Sequence, residues 1–139
     1  SLAAATPFVP FLSLPRGTVA AVLATAAVAA LPFTPTYSIS KAAALNLTQS
    51  LRALVAGQGV RVHAVLPGPV DTDMTRGLDI PKASPESVAR AILDGVEKGE
   101  EEILPDPMSA SIAESWGSGA AKALERQFAA YVAAEPVSV

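Results

Sequence analysis

The stretch Gly59–Met74, "GVRVHAVLPGPVDTDM", decides how this chain is built. Its first part, Val60–Leu66, sets Val60, Val62, Ala64, Val65 and Leu66 around Arg61 and His63. A strand with one wet face alternates apolar and polar residues throughout, whereas one covered on both faces does not. The end of this run reads as the second kind, which belongs to a parallel sheet. Pro67, Gly68 and Pro69 then stop the strand and open a loop at its carboxyl end.

Upstream, Gly17 is a stop, and the apolar run Thr18–Leu23 reads as another strand buried on both faces. Between the two strands, Pro32 and Pro35 bracket a loop, and the pattern turns helical from Thr36 to Ala56. Leu45, Thr48, Leu51 with Arg52, and Val55 recur there at spacings of three and four, until Gly57–Gly59 ends the helix. Downstream, Met74–Ala83 reads as a flexible connection. Ser84 is an N-cap with Pro85 at the first helical position, and Val88, Ala91, Ile92 and Val96 form the inward face of a helix ending at Gly99. A short third strand centres on Ile103 and Leu104, and a final helical stretch, Ser109–Ala133, is broken by "GSG" at Gly117–Gly119. Strand, helix, strand, helix, strand, helix implies right-handed crossovers and a three-layer, Rossmann-like parallel α/β sheet. Pro7 and Pro10 make the apolar segment Leu2–Leu14 a broken helix or a helix tail.

Bulk properties narrow the function classes. The 139 residues predict one domain, 50% hydrophobic and 17% charged, which excludes a disordered chain. A net charge of −3 leaves no basic footprint for nucleic acid. There is no cysteine and a single histidine, His63, so thiolate or histidine metal sites and a Ser-His site are hard to build, and no metal is expected. The longest apolar run, Val19–Leu31, is 13 residues, short of the roughly 20 needed to span a bilayer. With no basic flank at its start, the chain does not read as a secretory precursor, and a cytoplasmic setting without membrane contact is expected.

The candidate chemistry lies in "YSISKAA", Tyr37–Ala43. Tyr37 and Lys41 stand one helical turn apart, on one face. An ammonium beside a phenol favours the phenolate and lowers its pKa from about 10 toward neutrality, where an acid/base catalyst works best. Tyr-x-x-x-Lys alone is also an ordinary solvated helix face. The order strand, loop, "YSISKAA" helix, strand and "PGPVDTDM" loop resembles the short-chain dehydrogenase/reductase family, from about Leu2 to Ile103. That resemblance implies hydride transfer between a nicotinamide cofactor, NAD or NADP, and a carbonyl or alcohol. It implies Tyr37 as the acid/base and Lys41 as the residue that tunes it and holds the nicotinamide ribose. Together with Tyr37 and Lys41, the residues Pro67, Gly68, Val70 and Thr72 would bind the cofactor, and ligands of such sheets sit at the carboxyl ends of strands.

Two departures stand out. The family's catalytic serine falls on Ala24, which has no hydroxyl; the neighbouring Thr25 could substitute only if the loop twists, since side chains alternate along a strand. The glycine-rich dinucleotide fingerprint occurs nowhere in the sequence. The chain therefore resembles the carboxyl-terminal half of a doubly wound domain, with the dinucleotide-binding half absent. The strand Thr18–Leu23 would then present an edge, which is expected to pair with that other half, a second copy in a homo-oligomer, or a rearranged amino-terminal segment.

Two other functional readings exist. A half-domain without the serine could be a non-catalytic remnant or pseudoenzyme. "SISK", Ser38–Lys41, also fits the Ser-x-x-Lys pattern of penicillin-recognising esterases, though nothing else of that family is present. His63 reads as a satisfied core or edge residue, Asp71 and Asp73 as loop caps, with Asp73 able to start a short helix. Glu97–Glu102 reads as a solvated turn, and Trp116 and Phe128 as core or subunit contact. Met74–Ala83 corresponds to the family's substrate lid.

Overall fold

A computed structural model describes residues 17–134; the broken helix expected over Leu2–Leu14 lies outside them. Gly17 opens the first strand with φ 79°, and a Cβ there would sit 2.9 Å from the Gly59 carbonyl oxygen. Only glycine tolerates both conditions. Its own carbonyl accepts from Arg61 N–H at 2.7 Å and so begins the sheet.

Three parallel strands follow: β1 (Thr18–Val22), β2 (Arg61–Val65) and β3 (Glu102–Ile103), in the order β1-β2-β3. Thr18 pairs with Arg61 through to Val22 with Val65, and Ala64 pairs with Glu102. Helix α1 (Pro35–Val55) connects β1 to β2, and α2 (Pro85–Lys98) connects β2 to β3; α3 (Pro107–Ala110), α4 (Ala113–Ser118) and α5 (Ala120–Ala134) complete the chain. This is an open Rossmann-like α/β sheet with a helical layer on each face.

Alternating Cβ directions divide the core in two. On one face Ala20, Val65 and Ile103 pack against Val88, Ile92 and Val96 of α2. On the other Leu23, Ala64 and Leu66 pack against Leu45 of α1, with Trp116 of α4 against them. Each buried aliphatic side chain contributes about 1.5–3 kcal/mol relative to exposure. The α2 cap is as expected: the Ser84 hydroxyl accepts from Ser87 N–H at 3.2 Å, Pro85 follows it, and Gly99 ends the helix with φ 72°.

Several expectations are corrected. Leu51 is 43% exposed, because Leu45, Thr48 and Arg52 form the inward row of α1 and Leu51 lies one residue off it. Ala91 is only half-buried, while Gly95 was missed; it is buried, and a Cβ on it would meet Ile103 at 2.8 Å. Phe128 is 57% exposed, which removes the core alternative and leaves that of a subunit contact. The run Glu97–Glu102 is not simply a solvated turn. Lys122, itself 2% exposed, binds Glu101, Glu102 and Glu125 carboxylates at 2.6, 2.8 and 2.9 Å. Arg52 binds Glu102 and Glu125 at 2.8 and 2.7 Å, and so ties α1, β3 and α5 together.

Candidate functional site

Residues 23–34 lead from the carboxyl end of β1 to α1, which returns to the amino end of the parallel strand β2, so its first turn lies toward the carboxyl edge of the sheet. Pro35 is favourable there, since the missing N–H is one that no helix satisfies. Tyr37 and Lys41 lie on this turn and the next, both half-buried, and the Lys41 ammonium sits over the phenol ring, 5.4 Å from its centroid. This is a cation–π contact rather than a bond to the hydroxyl. Burial pushes the Tyr37 phenol above its ordinary 10.0. The lowering expected from the spacing is therefore not seen in this arrangement, where burial disfavours the phenolate and the ammonium lies over the ring face.

The second component follows β2. Three successive residues of its loop are anchored by three different partners. The Pro67 carbonyl accepts from Thr25 N–H at 2.9 Å, Gly68 N–H donates to the Asp106 carboxylate at 2.7 Å, and the Pro69 carbonyl accepts from Ala83 N–H at 2.9 Å. Val70 bridges to Ala83, and Asp71 N–H donates to the Ala83 carbonyl. The segment Met74–Ala83 is thus fastened to this loop at its far end, not a free connection. Asp73 does begin a turn of 3-10 helix, Asp73–Thr75, and pairs with Arg76.

Thr72, exposed, precedes that turn. Its N–H is bound by Thr75, whose buried hydroxyl also donates to the Val70 carbonyl at 2.5 Å. Thr75 braces the loop, and it went unnoticed in the sequence because threonine inside a polar run carries no signal of burial. Asp106 was missed too. The Asp-Pro-x-Ser pattern at 106–109 announces a helix cap, but nothing local announces a bond to Gly68.

Ala24, extended at φ −169°, lies two residues past the end of β1, and the amide of the next residue, Thr25, binds the Pro67 carbonyl. Thr25 already belongs to the next 3-10 turn, Thr25–Ala27, so it is displaced from the strand direction that Ala24 occupies. Ser38 is buried and accepts the Leu31 N–H at 2.9 Å, which fastens the loop before α1. His63 is buried on the α2 face with Nδ1 2.5 Å from the Glu100 carbonyl, consistent with an Nδ1–H donor.

Tyr37, Lys41 and the Pro67–Thr72 loop thus stand at the carboxyl edge of a parallel sheet, where such sheets bind ligands. The short chain dehydrogenase model matches residues 2–82, more than half of the chain, and the chain belongs to that family. It is 42% identical over 80 residues to 1-deoxy-11-beta-hydroxypentalenate dehydrogenase of Streptomyces exfoliatus, covering 55% of this chain and 29% of the relative. It is 37% identical over 75 residues to 2-(R)-hydroxypropyl-CoM dehydrogenase of Xanthobacter autotrophicus, covering 53% and 30%. A solved short chain dehydrogenase from Burkholderia cenocepacia, in complex with NADP, superposes with TM-score 0.68 at 38% identity, over 80% of this chain and 48% of that one. The chain spans under a third of those two curated relatives and about half of the solved structure. Among the described residues, no helix is long and apolar enough to cross a membrane.

Proposed function

We propose that this chain supplies the proton-transfer and nicotinamide-facing half of an NAD(P)-dependent oxidoreductase that interconverts a small carbonyl compound and its alcohol. The observation that carries the reading is the Tyr37–Lys41 stack at the head of α1, on the same sheet edge as the Pro67–Thr72 loop. The residues present fit one end of a nicotinamide dinucleotide. Pro67, Gly68, Val70 and Thr72 form an anchored loop with the exposed Thr72 hydroxyl on it, and Lys41 offers a cation for a ribose. A glycine-rich cradle for the pyrophosphate is found nowhere in the sequence, so the adenosine end calls for residues outside this chain. The cofactor supplies or accepts the hydride.

The protein's part is proton transfer. The Tyr37 hydroxyl donates its proton to the substrate oxygen in reduction and takes it back in oxidation. A phenol is protonated at neutral pH, the form in which it can act as acid, and burial, by raising its pKa, makes it a weaker one. Working as a base requires the phenolate, and a shift of the Lys41 ammonium from the ring face to the hydroxyl oxygen would stabilise it. In the intact protein, Tyr37→Phe is expected to lower carbonyl reduction at least about 10²-fold while dinucleotide affinity changes less than about twofold. An unchanged rate would remove Tyr37 from the mechanism.

Ala24 favours a second reading, a non-catalytic member of the family. Its methyl cannot bond a substrate oxygen. Dinucleotide binding without turnover of any carbonyl substrate would select it.

A further inference from the structure

Asp106 follows β3, far in sequence from the Pro67–Thr72 loop, and is 6% exposed. Its two carboxylate oxygens serve two different structures. Oδ1 accepts from Met108 N–H and Ser109 N–H, each at 3.1 Å, and so caps α3. Oδ2 accepts from Gly68 N–H at 2.7 Å and from the Ser109 hydroxyl at 2.8 Å. Ser109 is fully buried and its hydroxyl also receives the Asp106 N–H at 3.2 Å, which leaves the carboxylate little freedom to turn.

The contact with Gly68 is tight as well as polar. A Cβ on that residue would lie 2.7 Å from Asp106 Oδ1 and 3.2 Å from Met108 Cβ and Sδ. Glycine is thus what lets the loop backbone reach the carboxylate. Pro67 and Pro69, on either side, are held by backbone groups alone. Of the three successive anchors, Asp106 is the one made by a side chain.

We infer that Asp106 is a positioning residue: it clamps the Gly68 amide so that the Pro67–Thr72 loop is preformed to receive the nicotinamide end of the dinucleotide. This rests on the oxidoreductase reading given above. A loop ordered before binding need not be ordered during it, so loss of the clamp appears as lost affinity. Asp106 touches no reacting atom.

The test separates the clamp from the cap. Serine is itself a good N-cap but has one short-armed oxygen, so Asp106→Ser keeps α3 capped and releases Gly68. In the intact protein, Asp106→Ser is expected to speed Gly68 amide hydrogen exchange at least tenfold and to raise the dissociation constant for NADPH or NADH about tenfold, the equivalent of one lost charge-assisted hydrogen bond. Dinucleotide binding is read by fluorescence titration, and the thermal midpoint should fall little. Asp106→Asn has one acceptor oxygen to share between Gly68 and α3, so it should fall between wild type and Asp106→Ser; it replaces the serine variant if that variant does not fold. Unchanged Gly68 exchange would overturn the clamp, and faster exchange with unchanged affinity would overturn its role in binding. Wild-type protein that takes up neither dinucleotide would instead overturn the oxidoreductase reading and the binding role with it, and Gly68 exchange would then decide the clamp alone.

Discussion

Tyr37 is half-buried, and burial favours its neutral form, while the Lys41 ammonium lies over the ring rather than at the hydroxyl. Burial sets the direction here, so the phenol stays protonated at neutral pH but is a weaker acid than a free tyrosine. Ala24 offers a methyl group where the proposed function calls for a hydroxyl to bond the substrate oxygen. Its extended backbone accepts any side chain without strain. Ala24→Ser should therefore raise the carbonyl reduction rate of the intact protein by up to about 10²-fold, the scale of one donor to a developing oxyanion. Steady-state kinetics would reveal this, and an equal rate in both proteins would mean that the substrate oxygen lies elsewhere.

At the scale of elements, α5 is attached to the sheet less by apolar packing than by charge. Leu124, Phe128 and Tyr131 remain exposed along it, while Lys122 and Glu125 reach inward to Arg52 of α1, Glu102 of β3 and Glu101 just before it. Gln49 adds a hydrogen bond to Glu125 at 3.0 Å. Removing one partner from a buried ionic cluster strands the others, so Lys122→Met should cost about 3 kcal/mol at pH 7, measured by urea denaturation. The pH dependence follows from the direction of the shifts. Burial would raise the Glu101 carboxyl, but the Lys122 hydrogen bond, then the charges of Lys122, Arg52 and Arg126, outweigh it and hold the group below 4.5. Its contribution is present above pH 4.5 and is lost as pH falls through the folded value. Burial would lower Lys122, yet its bonds to Glu101, Glu102 and Glu125 raise it above 10.5, so its contribution is present below pH 10.5 and is lost as pH climbs through the folded value. The difference between wild type and Lys122→Met should then be widest near neutrality and shrink below pH 4.5. Trp116, the single tryptophan, packs beside this cluster and would report separation of α5 by fluorescence.

At the scale of the whole molecule, β1 is the outer strand of the sheet, and among the described residues nothing pairs with its far side. In a parallel ladder alternate residues bond to one neighbour. The bonds of Gly17 and Leu23 to β2 assign Thr18, Ala20 and Val22 to the open edge. Such an edge recruits another strand. We propose that the partner is the amino-terminal half of the domain or a second copy of the chain. Where the partner is a second copy, association should rise with concentration in analytical ultracentrifugation, and Val19→Lys, at a position 37% exposed, should weaken it. A wild-type chain that stays monomeric at all concentrations, with this edge bare, would contradict the proposal.

Much of this architecture was legible in the sequence, because the information is local. The runs at Thr18 and Arg61 announced strands, the three- and four-residue spacing of Leu45, Thr48 and Arg52 announced α1, and Ser84-Pro85 announced the start of α2. The Tyr-Lys pair was visible for the same reason: a helix brings residues four apart onto one face whatever surrounds it. What tertiary structure alone decided are quantities set by neighbours remote in the chain. Burial reversed the direction of the Tyr37 shift, Lys122 gathered the remote carboxylates of Glu101 and Glu102, and Asp106 found an amide 38 residues away. Solvation and Coulomb energy depend on distances through space, and those exist only once the sheet has folded.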